Sequence, residues 1–311
     1  MALYAVFGQP VLHSKSPQMF CPLLDVSDHY TRIRPGSAED SIHIVQDLNI
    51  KGASVTAPFK ESIFHFVDHV SEEASSIGAI NCIRNEGGKI FGHNTDHEGV
   101  TRALEEAGVQ LQGRNVLVLG AGGAAKAAVF GLTRAQANVF ISNRTSEKAK
   151  ALTEKYGATL VPWERTAKTP WFDAVVSTLL PEAIPPFAGY MAYGCLLDAV
   201  YKPSLMSEHT RSCGIKIIPG ERWLIWQGIA AAQFYIINKK KNKEKRIAPE
   251  TLEQNIGDNP YREKLRIFVL NEQSKNDFGD GDYDLLVSAF GKNKNQIATI
   301  IDEEKRLAFG A

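Results

Sequence analysis

The chain has 311 residues, enough for two domains of ordinary size, and its 44% hydrophobic and 23% charged content excludes disorder over most of its length. Lys plus Arg and Asp plus Glu number 35 each, so no net field draws the chain to nucleic acid or an anionic membrane, and a small-molecule partner is expected. No stretch reaches the roughly 20 apolar residues of a membrane span, and the first residues lack the basic start and the length of a signal peptide, so the expected location is the cytoplasm. The four cysteines, Cys21, Cys82, Cys195 and Cys213, have neither C-x-x-C nor zinc spacing, which predicts reduced thiols.

In chain order, an apolar run at 3–7 is followed by a helical pattern near 16–24, a strand near 29–33, a helix near 38–48, a strand at 52–56 and another helix. Such alternation predicts an α/β layer with a largely parallel sheet. A second unit starts at Arg114, where Asn-Val-Leu-Val-Leu-Gly is a continuous apolar strand of the kind that is covered on both faces. Strand patterns recur at 139–142, 174–177, 196–200 and 215–218, which predicts a doubly wound domain. Residues 221–238 form an apolar-periodic helix expected to pack back on the first domain. The Lys-rich segment 239–246 reads as a solvated linker or exposed helix end. Past Ile256, Asp277-Phe278-Gly279 has no accompanying kinase elements, and Asp280 and Asp282 lack calcium-loop spacing, so the extension 257–311 is given no function.

Gly120-Ala121-Gly122-Gly123-Ala124-Ala125 fits G-x-G-x-x-A directly after a predicted strand and at the start of a predicted helix. In that context the first glycine permits the turn, the second lets backbone approach a pyrophosphate, and the small last residue allows close helix–strand packing. The pyrophosphate would sit on the helix N-terminus. The next strand ends in Asn143-Arg144-Thr145 with no carboxylate. A guanidinium with flanking amide and hydroxyl groups suits the 2′-phosphate of NADP rather than the free ribose of NAD, unless Arg144 is only a surface residue.

Six motifs in order narrow the substrate: Gly8-Gln9-Pro10-Val11-Leu12-His13-Ser14-Lys15-Ser16-Pro17, Gly52-Ala53-Ser54-Val55-Thr56-Ala57-Pro58-Phe59-Lys60, Gly78-Ala79-Ile80-Asn81, Gly92-His93-Asn94-Thr95-Asp96, the dinucleotide loop, and Gln227-Gly228. Together they resemble the shikimate dehydrogenase family over residues 1–255. The resemblance implies an N-terminal α/β substrate-binding domain over 1–97, completed by helices within 221–256, and an NADP-binding Rossmann domain over 98–220, with the active-site cleft between them. It implies NADP(H)-dependent interconversion of 3-dehydroshikimate and shikimate, with Lys60 and Asp96 handling the hydroxyl proton. Ser14, Ser16 and Tyr201 would hold the substrate carboxylate, and Thr56, Asn81 and Gln227 its ring hydroxyls. By residue chemistry alone Ser14-x-Ser16-Pro17 is more often a helix cap, so the carboxylate role rests on the resemblance. Cofactor residues are Gly120, Ala121, Gly122, Gly123, Ala124, Asn143, Arg144 and Thr145, to which the resemblance adds Ser177, Gly220 and Trp223.

The chain departs from the family pattern at several positions. Ser54 replaces an asparagine, His93 stands where aspartate is common, Phe20-Cys21 replaces a His-Asn pair, and Trp223 replaces a methionine. Residues 176–181, Val-Ser-Thr-Leu-Leu-Pro, replace an Asn-Ala-Thr-Ser-like loop beside the nicotinamide. His65 and His69, like His93 and His97, have i,i+4 spacing on predicted helices and could hold zinc. No suitable third ligand accompanies them and hydride transfer needs no metal, so none is expected. The rival readings are a quinate/shikimate dehydrogenase or a paralogue for another cyclic hydroxy acid, and a non-catalytic ligand-binding homologue.

Overall fold

The computed structural model describes residues 2–12, 14–24, 28–164 and 170–236. The Lys-rich segment 239–246 and the extension 257–311 lie outside them. Contacts divide the chain into two compact units, one of residues 1–71, 80–93 and the chain from Ala231, the other of residues 72–79 and 94–230.

The first unit contains β1 (Leu3–Phe7), α1 (Ser16–Phe20), β2 (His29–Ile33), α2 (Ala38–Asp47), β3 (Gly52–Val55), α3 (Phe59–Ser62), β4 (His69–Val70), β5 (Cys82–Glu86) and β6 (Lys89–His93). Helix α2 starts where Ser37 accepts a hydrogen bond from the Asp40 amide at 3.0 Å, and Glu39 and Asp40 place negative charge at its positive end. The sheet order is β2-β1-β3-β5-β6-β4. It is mixed rather than largely parallel: β1 runs parallel to β2 and β3, but β5 is antiparallel to both β3 and β6. The β5–β6 pairing follows from the two-residue turn Gly87-Gly88, both at positive φ, which favours a tight hairpin.

The second unit contains α4 (Glu72–Ile77), α5 (Asp96–Glu106), β7 (Asn115–Leu119), α6 (Gly123–Arg134), β8 (Asn138–Ser142), α7 (Ser146–Tyr156), β9 (Thr159–Leu160), β10 (Trp171–Phe172), β11 (Ala174–Ser177), β12 (Ala192–Tyr193), β13 (Cys195–Asp198), α8 (Leu205–Ser212), β14 (Lys216–Ile218) and most of α9 (Gly220–Tyr235). Six parallel strands lie in the order β9-β8-β7-β11-β13-β14, the doubly wound dinucleotide-binding order. Alternate residues of β7 feed opposite cores. Val116 and Val118 pack with Leu104 of α5, Val129 of α6 and Leu152 of α7, while Leu117 and Leu119 pack with Phe172, Phe187 and Met206. Each such buried side chain contributes about 1.5–3 kcal/mol, which is why this strand must be apolar throughout.

In the first unit Gly52 faces Tyr235, and a Cβ there would lie 2.5 Å from the Tyr235 Cβ and 2.7 Å from its ring. The Gly52→Ala variant is expected to lose about 1–3 kcal/mol of stability by overpacking, read as a lowered urea midpoint. The loss should shrink in a Tyr235→Ala background.

Candidate functional site

In the first unit the parallel pairing of β1 and β3 brings their C-terminal ends to one edge. The Thr56 amide donates to the Phe7 carbonyl at 2.8 Å and the Gln9 amide to the Ala57 carbonyl at 3.0 Å, so the two outgoing loops are tied together. Gly8 is required there because a Cβ would run into the Thr56 methyl. The loop after β1 carries Ser14 and Ser16, whose hydroxyls are 3.2 Å apart. The Ser16 amide donates to the Ser14 hydroxyl at 3.3 Å, a local turn bond, and α1 has no side-chain cap at Lys15. Past β3, Thr56 and Lys60 are half-buried and Asn81 is buried. The Asn81 carbonyl accepts from Val55 at 2.7 Å and the Lys60 carbonyl from Ile80 at 2.8 Å, which gathers all three residues at the end of β3.

In the second unit Asp96 opens α5 and is 7% exposed. Its amide donates to the Asn94 side chain at 3.0 Å, and Asn94 in turn donates to the Ala79 carbonyl at 2.9 Å. Trp223 is buried and its indole N–H donates to the Asp96 carbonyl at 2.9 Å. Gly99 lets α9 approach α5, since a Cβ would lie 2.6 Å from Trp223 Cδ1 and 2.8 Å from Gln227 Cβ. Asp96, Trp223 and Gln227 are thereby gathered where α5 meets α9. Tyr201 is 46% exposed, yet desolvation of its hydroxyl, with the negative charges of Asp96 and Glu221 adding, pushes its pKa above the ordinary tyrosine value.

Tyr201 stands in a loop whose order is not evident from local sequence. The buried Asp198 carboxylate at the end of β13 holds it, accepting from Ser204 at 2.5 Å, from the Ser207 hydroxyl and from the Val200 amide at 3.4 Å. An Asp six residues before a Ser that also caps α8 is the available signal. Arg32, buried behind Ser14, also escapes sequence reasoning, because an arginine on a strand otherwise reads as solvated.

The dinucleotide loop turns at Gly120, φ +114°, whose amide donates to the Ser142 carbonyl at 2.9 Å. Thr178 closes over it. Its amide and hydroxyl both donate to the Leu119 carbonyl at 2.9 Å, and a Cβ on Gly120 would run into the hydroxyl. Gly122 precedes α6 in extended conformation, with open space where its Cβ would be and no side-chain cap on the helix. Ala125 is fully buried in the core shared with β7. Uncapped amides at a twelve-residue helix, facing open space across Gly122, fit a pyrophosphate. At the end of β8 the Asn143 side chain donates to the Thr145 carbonyl at 2.9 Å, and the exposed Arg144 makes no ion pair with any described residue. Ser177 is buried at the end of β11. Gly220 starts α9 where a Cβ would lie 2.6 Å from the Asp198 carbonyl.

The histidine pairs do not occupy helices as expected. His65 ends a short 3₁₀ turn and His69 lies in β4, while His93 ends β6 and His97 lies in α5. In the first unit the Asp68 amide donates to the Ile90 carbonyl and the Asp68 carboxylate accepts from the Ile90 amide, pulling the segment at 69–70 into the sheet.

The doubly wound sheet with its glycine loop defines the second unit as a dinucleotide-binding domain. A family model described as the shikimate dehydrogenase substrate binding domain matches residues 6–83, and one described as shikimate / quinate 5-dehydrogenase matches 102–178. The shikimate dehydrogenase (NADP(+)) of Aquifex aeolicus is 33% identical over 243 residues, 75% of this chain and 90% of that one. That of Syntrophobacter fumaroxidans is 32% identical over 249 residues, with 75% and 87% covered. The crystal structure of shikimate 5-dehydrogenase from Thermus thermophilus in complex with NADP(H) and shikimate matches with a TM-score of 0.72 at 31% identity, covering 83% of this chain and 99% of that one. The chain belongs to the shikimate dehydrogenase family.

Replacing Gly120 by alanine both strains a left-handed backbone and collides with Thr178. The Gly120→Ala variant is expected to bind NADP on the order of 10–100-fold more weakly, measured by fluorescence titration.

Proposed function

We propose that this chain is an NADP-dependent shikimate dehydrogenase, catalysing the reversible interconversion of 3-dehydroshikimate and shikimate. The observation that carries the reading is the family membership, which extends over both units, together with retention of Ser14, Ser16, Lys60, Asn81, Asp96 and Gln227 at the motif positions. NADP supplies the hydride acceptor, and NADPH the donor in reverse. The α6 N-terminus and the loop 120–124 hold its pyrophosphate, and Arg144 with Asn143 and Thr145 its 2′-phosphate. Ser177, Gly220 and Trp223 border its nicotinamide end.

For the substrate, Ser14, Ser16 and Tyr201 donate to the carboxylate, and Thr56, Asn81 and Gln227 pair with ring hydroxyls. A site of this kind rejects analogues that leave its polar groups unpaired. Lys60 and Asp96 together take the hydroxyl proton as hydride leaves carbon, and return it in the reverse direction. The four cysteines are all free thiols, which supports a reducing cytoplasmic setting. No described helix is long and apolar enough to cross a membrane.

The test is nicotinamide absorbance with purified protein, pairing shikimate and quinate with NADP and NAD. Turnover chiefly with shikimate and NADP is expected. Turnover chiefly with quinate and NAD would reassign the substrate and cofactor, and no turnover with any pair would favour a ligand-binding role. Lys60→Ala should lower kcat on the order of 10²–10⁴-fold with the KM for NADP unchanged. Arg144→Ala should raise the KM for NADP at least about tenfold while leaving that for NAD within about twofold.

A further inference from the structure

Arg32 lies in β2 two residues after Tyr30, hence on the same face of the strand, and is 9% exposed. Its Nε and Nη2 donate to the Ser14 carbonyl at 3.1 and 2.6 Å, and Nη2 also donates to the Gln18 side chain at 3.0 Å. The titratable groups facing it among the described residues are Cys21 and Tyr30, neither of them a carboxylate. Burial lowers the guanidinium below its ordinary value, to about 10, so it stays protonated at neutral pH. A buried cation whose partners among the described residues are all neutral is costly, because hydrogen bonds to a carbonyl and an amide replace its hydration without neutralising its charge.

Holding the Ser14 carbonyl and the Gln18 amide requires only a neutral donor, so the charge itself is left unexplained by the clamp. The carbonyl that it grips belongs to the residue whose hydroxyl lies 3.2 Å from that of Ser16. Two hydroxyls carry no net charge and by themselves distinguish an acid from its ester only weakly. An anion bound to them would be the counter-ion that Arg32 lacks among the described residues.

We propose that Arg32 is the positioning and charge-selecting residue of the carboxylate subsite: it fixes the Ser14–Ser16 turn through the Ser14 carbonyl, and its field makes the two hydroxyls select an anionic substrate. The proposal rests on the assignment of Ser14 and Ser16 to the substrate carboxylate. Arg32 does not touch the reacting atoms, so its loss acts on acid recognition and leaves cofactor binding alone.

The experiment compares full-length wild type, Arg32→Gln and Arg32→Lys for kcat and KM with shikimate and with its neutral methyl ester at saturating NADP. Wild type is expected to favour the acid. Arg32→Gln should raise the KM for shikimate on the order of 10–100-fold, while the KM values for the ester and for NADP change by less than about threefold. Arg32→Lys, a cation of shorter reach, should retain most of the preference for the acid. Equal losses for acid and ester, or an undiminished preference in Arg32→Gln, would overturn the proposal in favour of a purely structural clamp. If Arg32→Gln does not fold, loss of the acid preference in Arg32→Lys overturns it and retention supports it. Absence of shikimate turnover in the wild type would instead sink the functional reading. The role of Arg32 is then decided by calorimetric binding of the same acid and ester to the same proteins.

Discussion

The backbone turn at Gly120 is fixed by three neighbouring strand ends. Strand β7 can deliver the chain to this point only because it is paired in parallel with β8 on one side and β11 on the other. The Ser142 carbonyl takes the Gly120 amide, and Thr178 takes the Leu119 carbonyl with both its amide and its hydroxyl. A left-handed backbone held in this way has no slack, so the next residues must leave toward α6 with their amides uncapped. The uncapped start of α6 is thus a consequence of the parallel ladder, and an apolar β7 buried on both faces is what keeps the ladder in register.

The same logic applies to polar groups buried near the strand ends. Charged side chains leave water at a high cost, and the fold accepts that cost where it orders a loop. Asp198 gathers two serine hydroxyls and the Val200 amide, which makes a defined loop of the segment carrying Tyr201. Asn94 braces the first turn of α5 by bonding on one side to the Asp96 amide and on the other to the Ala79 carbonyl. In each case a buried polar group decides the course of a neighbouring loop or helix turn, much as metal-site geometry depends on groups that never touch the metal.

The continuous apolar strand at 115–119 is legible in the sequence because burial on both faces leaves one solution, and the glycine loop because it has one physical use in that context. The hairpin of β5 and β6 is harder to see: Gly87-Gly88 is a fair turn signal, but the flanking residues read as parts of recurring motifs rather than as paired strands. His65 and His69 keep helical spacing in sequence, but the paired bonds between Asp68 and Ile90 draw the second into a strand, a tertiary effect that local periodicity cannot contain. Ser14, Thr56, Lys60, Asn81 and Asp96 stand out through their motifs. Asp198 does not, since a buried carboxylate and an exposed one look alike in sequence until the hydroxyls that satisfy it are located in space.

The departures from the family pattern are accommodated by local hydrogen bonding. Where the family carries asparagine, the Ser54 hydroxyl lies 3.0 Å from that of Tyr30 and 2.9 Å from that of Tyr235, and the two tyrosines are 3.0 Å apart, a closed triangle of hydroxyls. Burial drives the phenols well above their ordinary pKa, so the triangle is neutral and each member donates one proton. In the altered loop at 176–181 the Thr178 hydroxyl takes up the Leu119 carbonyl, and Trp223 satisfies its N–H on the Asp96 carbonyl. At Ser54 and Trp223 the residue that departs from the family pattern thus has a partner for its polar atom. A buried polar atom left without a partner costs about 1–3 kcal/mol, so these pairings answer to stability as such. The departed positions are therefore repacked with their polar atoms paired, Ser54 on two tyrosines and Trp223 on the first turn of α5.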